Sequence, residues 1–218
     1  NIGAWDDLSR STLNANAVIG DRDLTLLSGA GLAAGRWAYM ASSGSETAAF
    51  LTRLATIVGV TATLEEAMPI ALATADTATF TSYDALIEGF SIRDLALTCV
   101  GGSATANKLT LLEMNRCNAP DVANVDFNGA VAPLVTPKIC KNGTLRNCTF
   151  RNAFTSAGSA TEIQTSTGFS VQNCSATNVR FGFVAARSPR TRIVDCSAAA
   201  IPDVSGGRGV KLSASSHF

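Results

Sequence analysis

Asp121 and Asp126 are the two carboxylates whose setting best suits chemistry. Cleavage of a glycosidic bond uses a carboxylate pair about 5 to 9.5 Å apart, one to protonate the leaving oxygen and one to attack or to activate water. These two fall in residues 118–137, the longest stretch between the recurring units described below, and inserted loops are where repeat proteins carry their sites. A second group is basic: Arg187, Arg190 and Arg192 flank Ser188-Pro189, and with Arg151 and Arg180 they could line a groove for an acidic glycan. Asp121 and Asp126 are therefore the candidate catalytic pair, and Glu162, Arg180, Arg187, Arg190 and Arg192 the candidate ligand-binding set. The plainer reading of the same residues is a solvated acidic loop and a solubilising basic turn. Phe154, Phe169, Phe181 and Phe183 would stack on sugar rings where exposed, although Phe181-Gly182-Phe183 alternates as two core residues of a strand.

Other chemistries lack their residues. His217 is the only histidine and stands next to the end of the chain, where it can anchor neither a triad nor a conventional zinc site. Gly29-Ala30-Gly31 and Gly206-Gly207 lack the strand and helix context of a phosphate-cradling or dinucleotide loop, so no cofactor and no metal is expected. Formal net charge is zero, which gives no electrostatic footprint for nucleic acid. No apolar run approaches the roughly 20 residues that cross a bilayer, so no membrane insertion is expected.

The elements that would position these residues are visible as a repeat. Ile92-Arg93-Asp94-Leu95, Leu145-Arg146-Asn147-Cys148, Val171-Gln172-Asn173-Cys174 and Ile193-Val194-Asp195-Cys196 share an aliphatic residue, a spacer, Asp or Asn, then Leu or Cys. Another apolar residue follows two positions later: Leu97, Phe150, Ala176 and Ala198. The Asx positions are 53, 26 and 22 residues apart, and Met114-Asn115-Arg116-Cys117 with Ala119 reads as a weaker copy filling the longest gap. Self-similarity at this period marks a stacked repeat. The apolar alternation is that of strands, and Asx residues tolerate left-handed backbone, so Asp94, Asn147, Asn173 and Asp195 read as structural turn formers. Cys148, Cys174 and Cys196, continued by Leu95 and Cys117, would stack as a file of small core residues. At least three of the six cysteines recur at one repeat position, which reads as free thiols used as small hydrophobes, with one bridge between adjacent coils the alternative.

With Gly89-Phe90-Ser91-Ile92-Arg93-Asp94 and Gly168-Phe169-Ser170-Val171-Gln172-Asn173-Cys174, the pattern resembles the coils of right-handed, pectin-lyase-like parallel β-helices, over roughly residues 89–212. Lyases, hydrolases, epimerases and bacteriophage tailspikes share that architecture, and fold does not choose among them. Of these the chain looks most like a tailspike or tail-fibre β-helix. Its repeats stop soon after the last Asx-Cys unit with no cap, which another chain or segment would have to supply. The tailspike resemblance implies a homotrimer on the virion tail, joined to other tail proteins by its N-terminal region and contacting a host surface glycan, with polysaccharide depolymerase activity left open. A secreted carbohydrate-active enzyme and a purely structural or adhesive solenoid are the alternatives. Charged residues at 16%, against about 25% in ordinary soluble domains, give a smooth, neutral surface suited to self-packing or to uncharged sugar.

Residues 1–60 form the expected attachment or capping region and 61–218 the β-helix. The first 40 residues carry no repeat, and 23–27 reads as a strand. Ser43-Gly44-Ser45-Glu46 satisfies a capping box before 47–58, where Ala48, Leu51, Ala55 and Val58 would share one helical face. Thr47-Ala48-Ala49-Phe50-Leu51 resembles the helix that covers the mouth of many such solenoids. The expected fold is thus all-β, a parallel β-helix preceded by a small mixed α/β region with a short capping or connecting helix. Asn1 in place of Met reads as a processed chain or a piece of a longer one.

Overall fold

The computed structural model describes residues 2–3, 9–42, 49–74, 78–83, 85–99, 110–130, 132–153, 158–200 and 208–213. Its strands, in chain order, are β1 (Ile2–Gly3), β2 (Ser9–Thr12), β3 (Asp23–Thr25), β4 (Trp37–Ala41), β5 (Ala49–Val58), β6 (Thr61–Leu64) and β7 (Thr79–Tyr83), then β8 (Ile87–Glu88), β9 (Ser91–Thr98), β10 (Leu112–Asn115), β11 (Cys117–Asn118) and β12 (Asp121–Ala130). There follow β13 (Val135–Lys138), β14 (Thr144–Arg146), β15 (Thr149–Ala153), β16 (Ser159–Gln164), β17 (Ser170–Gln172), β18 (Ser175–Val179), β19 (Phe181–Ala186), β20 (Arg192–Val194), β21 (Ser197–Ala200) and β22 (Arg208–Ser213).

From β8 onward every strand pair is parallel, and the chain winds as a β-helix. One face is built from β1, β10, β13, β16, β19 and β22. A second face takes the first halves of β9 and β12 with β14, β17 and β20, and a third takes their second halves with β15, β18 and β21. Register stacks like on like. Ile92, Val122, Leu145, Val171 and Ile193 form one inward file, and Leu97, Phe127, Phe150, Ala176 and Ala198 another. The Phe127 and Phe150 rings stack at 5.2 Å, and Phe183 meets Phe150 edge-on at 6.1 Å.

The corners explain the repeat. Asp94, Asn124, Asn147, Asn173 and Asp195 all have φ between 49° and 56°, the left-handed region that Asx residues enter at least cost. Their side chains join successive coils: Asn124 Nδ2 donates to Asp94 Oδ1 at 2.7 Å and Asn147 Nδ2 to Asn124 Oδ1 at 3.2 Å. The missing copy of the unit is therefore Val122-Ala123-Asn124-Val125, inside β12, and not Met114-Asn115-Arg116-Cys117. Arg116 belongs to a different corner, with Ile139, Thr165 and Arg187 at φ 50° to 57°. Cys117 accordingly leaves the Cys148, Cys174, Cys196 file and heads a second one, continued by the buried Cys140, Ser166 and Ser188. There Cys140 N–H donates to Ser166 Oγ at 3.0 Å and Ser166 N–H to Ser188 Oγ at 3.1 Å. All six cysteines are unbridged.

A β-branched residue in left-handed backbone is strained, whereas glycine is not. Asn147→Val is expected to lower stability by about 1–3 kcal/mol and Asn147→Gly to cost little. Urea denaturation of the two variants measures the difference, and equal stability would refute a strained corner.

Strands β2 to β7 form a sheet of their own, six antiparallel strands in the order β2-β7-β4-β5-β6-β3. A bridge between Leu13 and Leu26, with Leu27 N–H donating to Thr12 O at 2.9 Å, closes the sheet into a small barrel. Met40, Phe50, Leu54, Leu64, Met68 and Phe80 fill it. The helix expected over 47–58 is absent from its described part: Ala49–Val58 is β5, paired with β4 and β6. Residues 49–54 of β5 are buried on both faces, Arg53 partly, while 55–58 are largely exposed. Phe50 and Leu54 point into the barrel, while Leu51 joins Trp37, Tyr83 and Leu86 in a cluster that also holds Ile139 of the β-helix. Burial on both sides hid the two-residue period and left a run of apolar residues that also fits a helix. The capping-box residues lie outside the described residues. The boundary drawn at residue 60 falls in the turn between β5 and β6, which pair with each other, and residues 61–83 lie in the barrel.

The barrel packs along the flank of the β-helix. Leu51 N–H donates to Thr167 Oγ1 at 3.1 Å, and the Arg116 guanidinium lies 4.4 Å from the Tyr83 ring centroid. Glu66 takes both Lys141 Nζ and Arg190 Nη1, the latter at 2.7 Å. Lys141 is buried, its ammonium 5.5 Å from the Trp37 ring centroid.

Candidate functional site

Alternation on β17 and β20 turns Val171 and Ile193 into the core and sends Ser170, Gln172, Arg192 and Val194 outward. These four, with Asn173 and Asp195 from the Asx corner, Arg190 and Thr191, and Pro69 from the barrel, line a cleft of about 780 Å³. Junctions between packed units are a common place for ligand clefts. Gln172 Nε2 donates to Ser170 Oγ at 2.7 Å, which orients its carbonyl. Arg190 is already held by Glu66, while Arg192 has no acidic partner among the described residues. The lining thus offers hydroxyl, amide and guanidinium groups on rigid strands, beside the apolar Val194 and Pro69. That mixture suits a polyhydroxylated ligand.

Beyond the cleft, the second face carries two outward columns. One runs Ser91, Asp121, Thr144, Ser170, Arg192, the other Arg93, Ala123, Arg146, Gln172, Val194. Asp121 is tied to arginines of both neighbouring coils: Arg146 Nε and Nη2 at 3.1 and 3.2 Å, and Arg93 Nη2. The hydrogen bonds from Arg146 hold the Asp121 carboxyl below the usual carboxylate range, against a smaller opposing effect of burial. It therefore stays ionised and fully engaged, a poor proton donor. Asp126 follows the corner at Asn124, on the third face, where Arg151 binds both its oxygens. The two carboxylates stand on different faces, each neutralised by arginine, and neither lines the cleft.

The basic groove drawn from Arg151, Arg180, Arg187, Arg190 and Arg192 is not assembled. Arg190 and Arg192 line the cleft. Glu162 and Arg187 border a separate depression of about 160 Å³ with Gln164, Thr165 and Ala186. The Arg180 guanidinium lies over the Phe181 ring at 5.0 Å, and Arg151 is on the third face. Phe169 and Phe183 are core residues, and Phe154 and His217 lie outside the described residues. Burial pushes the Cys140 thiol up, so it is no nucleophile at neutral pH. Among the described residues, no three His, Cys, Asp or Glu side chains group as a metal site.

The sequence reading missed Arg93, Arg146 and Gln172, although their signal was present. They occupy the spacer position of the repeat, between the inward aliphatic residue and the Asx corner, which in a strand is the outward one.

Fold and site together define a parallel β-helix with an antiparallel barrel along its flank and a polar cleft where the two meet. No protein-family model matches the sequence, and no curated protein does. Among solved structures, the chain is similar to the gp54 tailspike of Acinetobacter baumannii bacteriophage AP22, determined in complex with A. baumannii capsular saccharide. The TM-score is 0.66 at 10% sequence identity, covering 89% of this chain and 38% of that one. It is also similar to the tailspike gp61 of Pseudomonas phage phi297, with a TM-score of 0.54, 11% identity, and coverage of 95% and 49%. The chain spans less than half the length of each, and at these identities the likeness is one of fold.

Proposed function

We propose that this chain is part of a virion tail protein of the tailspike type, which recognises host surface polysaccharide in the cleft between β-helix and barrel. The observation that carries the reading is the cleft itself, about 780 Å³ and lined by Ser170, Gln172, Arg192 and Asp195. It is supported by a fold similar to that of two phage tailspikes, one of them solved with a capsular saccharide. On this reading the protein works as a homotrimer on the virion tail, and the N-terminal region joins it to other tail proteins. Recognition is favoured over cleavage within this chain, because the described lining holds one carboxylate, Asp195, where glycoside hydrolysis uses two.

Titration calorimetry against polysaccharides extracted from candidate host bacteria tests the reading. Replacing Gln172 and Arg192 by Ala is expected to weaken binding roughly tenfold or more, since hydrogen bonds to charged groups contribute about 1.5–3 kcal/mol. The thermal midpoint should not move, because both side chains point outward. Unchanged affinity would remove the cleft as the site, and a monomeric mass by light scattering would remove the trimer.

A further inference from the structure

The second face continues the cleft along the axis of the β-helix, and it changes chemistry as it goes. Ala123 stands between Arg93 and Arg146 in the stack, and its small side chain leaves the outer surface there to the two arginines. Their guanidinium groups converge on Asp121. Arg146 places Nε 3.1 Å from Oδ1 and Nη2 3.2 Å from Oδ2, and Arg93 brings Nη2 to Oδ2 while its Nε donates to Ser91 Oγ at 3.1 Å. A guanidinium carries five N–H donors. No acceptor for either Nη1 group stands among the described residues, and both side chains are 39% exposed or more. Two cations share the one carboxylate of Asp121, and the charge of Asp94 also bears on Arg146. The other nearby acid, Asp94, has its Oδ1 occupied by Asn124 at 2.7 Å.

Arginines fixed in place by a carboxylate are a preorganised receptor for a second carboxylate, because planar donors already held in position lose little entropy on binding. β14 is two strands from β20, so Arg146 stands about 10 Å along the axis from Arg192, with Gln172 between them, at about 4.8 Å per strand. A polymer lying in the cleft would reach the arginine pair without bending away from the face.

We propose that Arg93 and Arg146 form a subsite for the carboxylate of an acidic sugar, so that the polysaccharide bound in the cleft is a uronate-bearing one. Asp121 is then a positioning residue for the two arginines. The inference rests on the polysaccharide-binding reading above.

The test applies the purified protein to an array holding polygalacturonate, hyaluronan and uronate-containing bacterial capsular polysaccharides beside dextran and mannan. The strongest binder is then retested after chemical reduction of its carboxylates to alcohols. Binding to an acidic member is expected, falling roughly tenfold or more on carboxyl reduction and by a similar factor in Arg93→Gln and Arg146→Gln proteins, as loss of a charge-assisted hydrogen bond implies. Acidic binding that is insensitive to carboxyl reduction overturns the subsite. So does binding to a neutral polysaccharide that needs Gln172 and Arg192 but neither Arg93 nor Arg146; the polysaccharide reading would survive that result. No binding to any member overturns both. Carboxylate-dependent binding that is unchanged in both arginine variants overturns the subsite as well, since Arg192 would then hold the carboxylate; circular dichroism of the variants, whose altered side chains point outward, checks that they fold.

Discussion

Glu66→Ala is expected to destabilise the protein by about 3 kcal/mol, the cost of leaving a buried charge without its partner. The Lys141 side chain is 8% exposed and shares the Glu66 carboxylate with Arg190, whose side chain is 48% exposed. Once the carboxylate is gone, Arg190 can turn to water and Lys141 cannot. The loss should therefore exceed that of Arg190→Ala, and urea denaturation at pH 7 compares the two directly. A loss below about 1 kcal/mol, the size of a surface pair, would mean that Lys141 finds another partner.

The same carboxylate makes the junction acid-sensitive. Burial by itself would raise the Glu66 carboxyl, but the hydrogen bonds and charges of Lys141 and Arg190 outweigh it and hold the group below its ordinary value. A folded-state pKa below the unfolded one gives stabilisation that is fully present above the unfolded value, about 4.3, and is lost as pH falls through the folded value. Thermal midpoints measured downward from about pH 5 should thus fall more steeply in the unaltered protein than in Glu66→Gln, whose amide does not titrate. Parallel curves would show that Glu66 contributes nothing to the pH dependence.

Phe150→Ala should cost about 3–5 kcal/mol, the range for deleting a buried aromatic ring. Phe150 is fully buried in the middle of the β-helix, stacked on Phe127 and edge-on to Phe183. The next residue of its file is Ala176, too small to fill the cavity left behind. Phe150→Leu should recover most of the loss, because volume and apolarity are largely kept. Denaturant titration of both variants checks this, and a loss under about 1 kcal/mol for Phe150→Ala would mean that the coils collapse around the gap.

The architecture was legible in the sequence because a solenoid writes the same local decision many times. Each coil needs a residue that accepts left-handed backbone, and Asn or Asp recurs there with apolar residues at fixed offsets. Reading became harder where that decision was made differently. In the second coil the Asx corner is Asn124, inside the ten-residue β12 and followed by Val in place of Cys, while the more similar Arg116-Cys117 serves another corner. Over 49–58 the sequence also suits a helix, because the first half of β5 is buried from both sides and shows no two-residue period. The division of the chain was drawn at residue 60, within a hairpin of the barrel, because antiparallel strands brought together from positions 9 to 83 leave no repeating mark.

The site was less legible. Arg190 and Arg192 line the cleft, whereas Arg187, three residues before Arg190, borders another depression with Glu162, and Arg180 lies over Phe181. In a β-helix a few residues of chain turn a corner and change the outward face. Contacts across coils instead join residues about 22 to 30 positions apart, as Asp121 with Arg146 and Arg93 shows. Glu66 meets Lys141 75 positions away and Arg190 124 positions away, and nothing local records either contact.

By itself, then, the sequence determined the winding of the chain: parallel strands, Asx corners and a narrow core filled by Val, Ile, Leu, Phe and Cys. These follow from backbone preference and apolar period, which act over a few residues and repeat. Only the tertiary structure decided that the spacer positions form one polar strip, that Asp121 serves two arginines, and that a barrel closes one side of the cleft. Those outcomes depend on which coils are neighbours and on where the barrel docks. Both are set by packing between residues far apart in the chain.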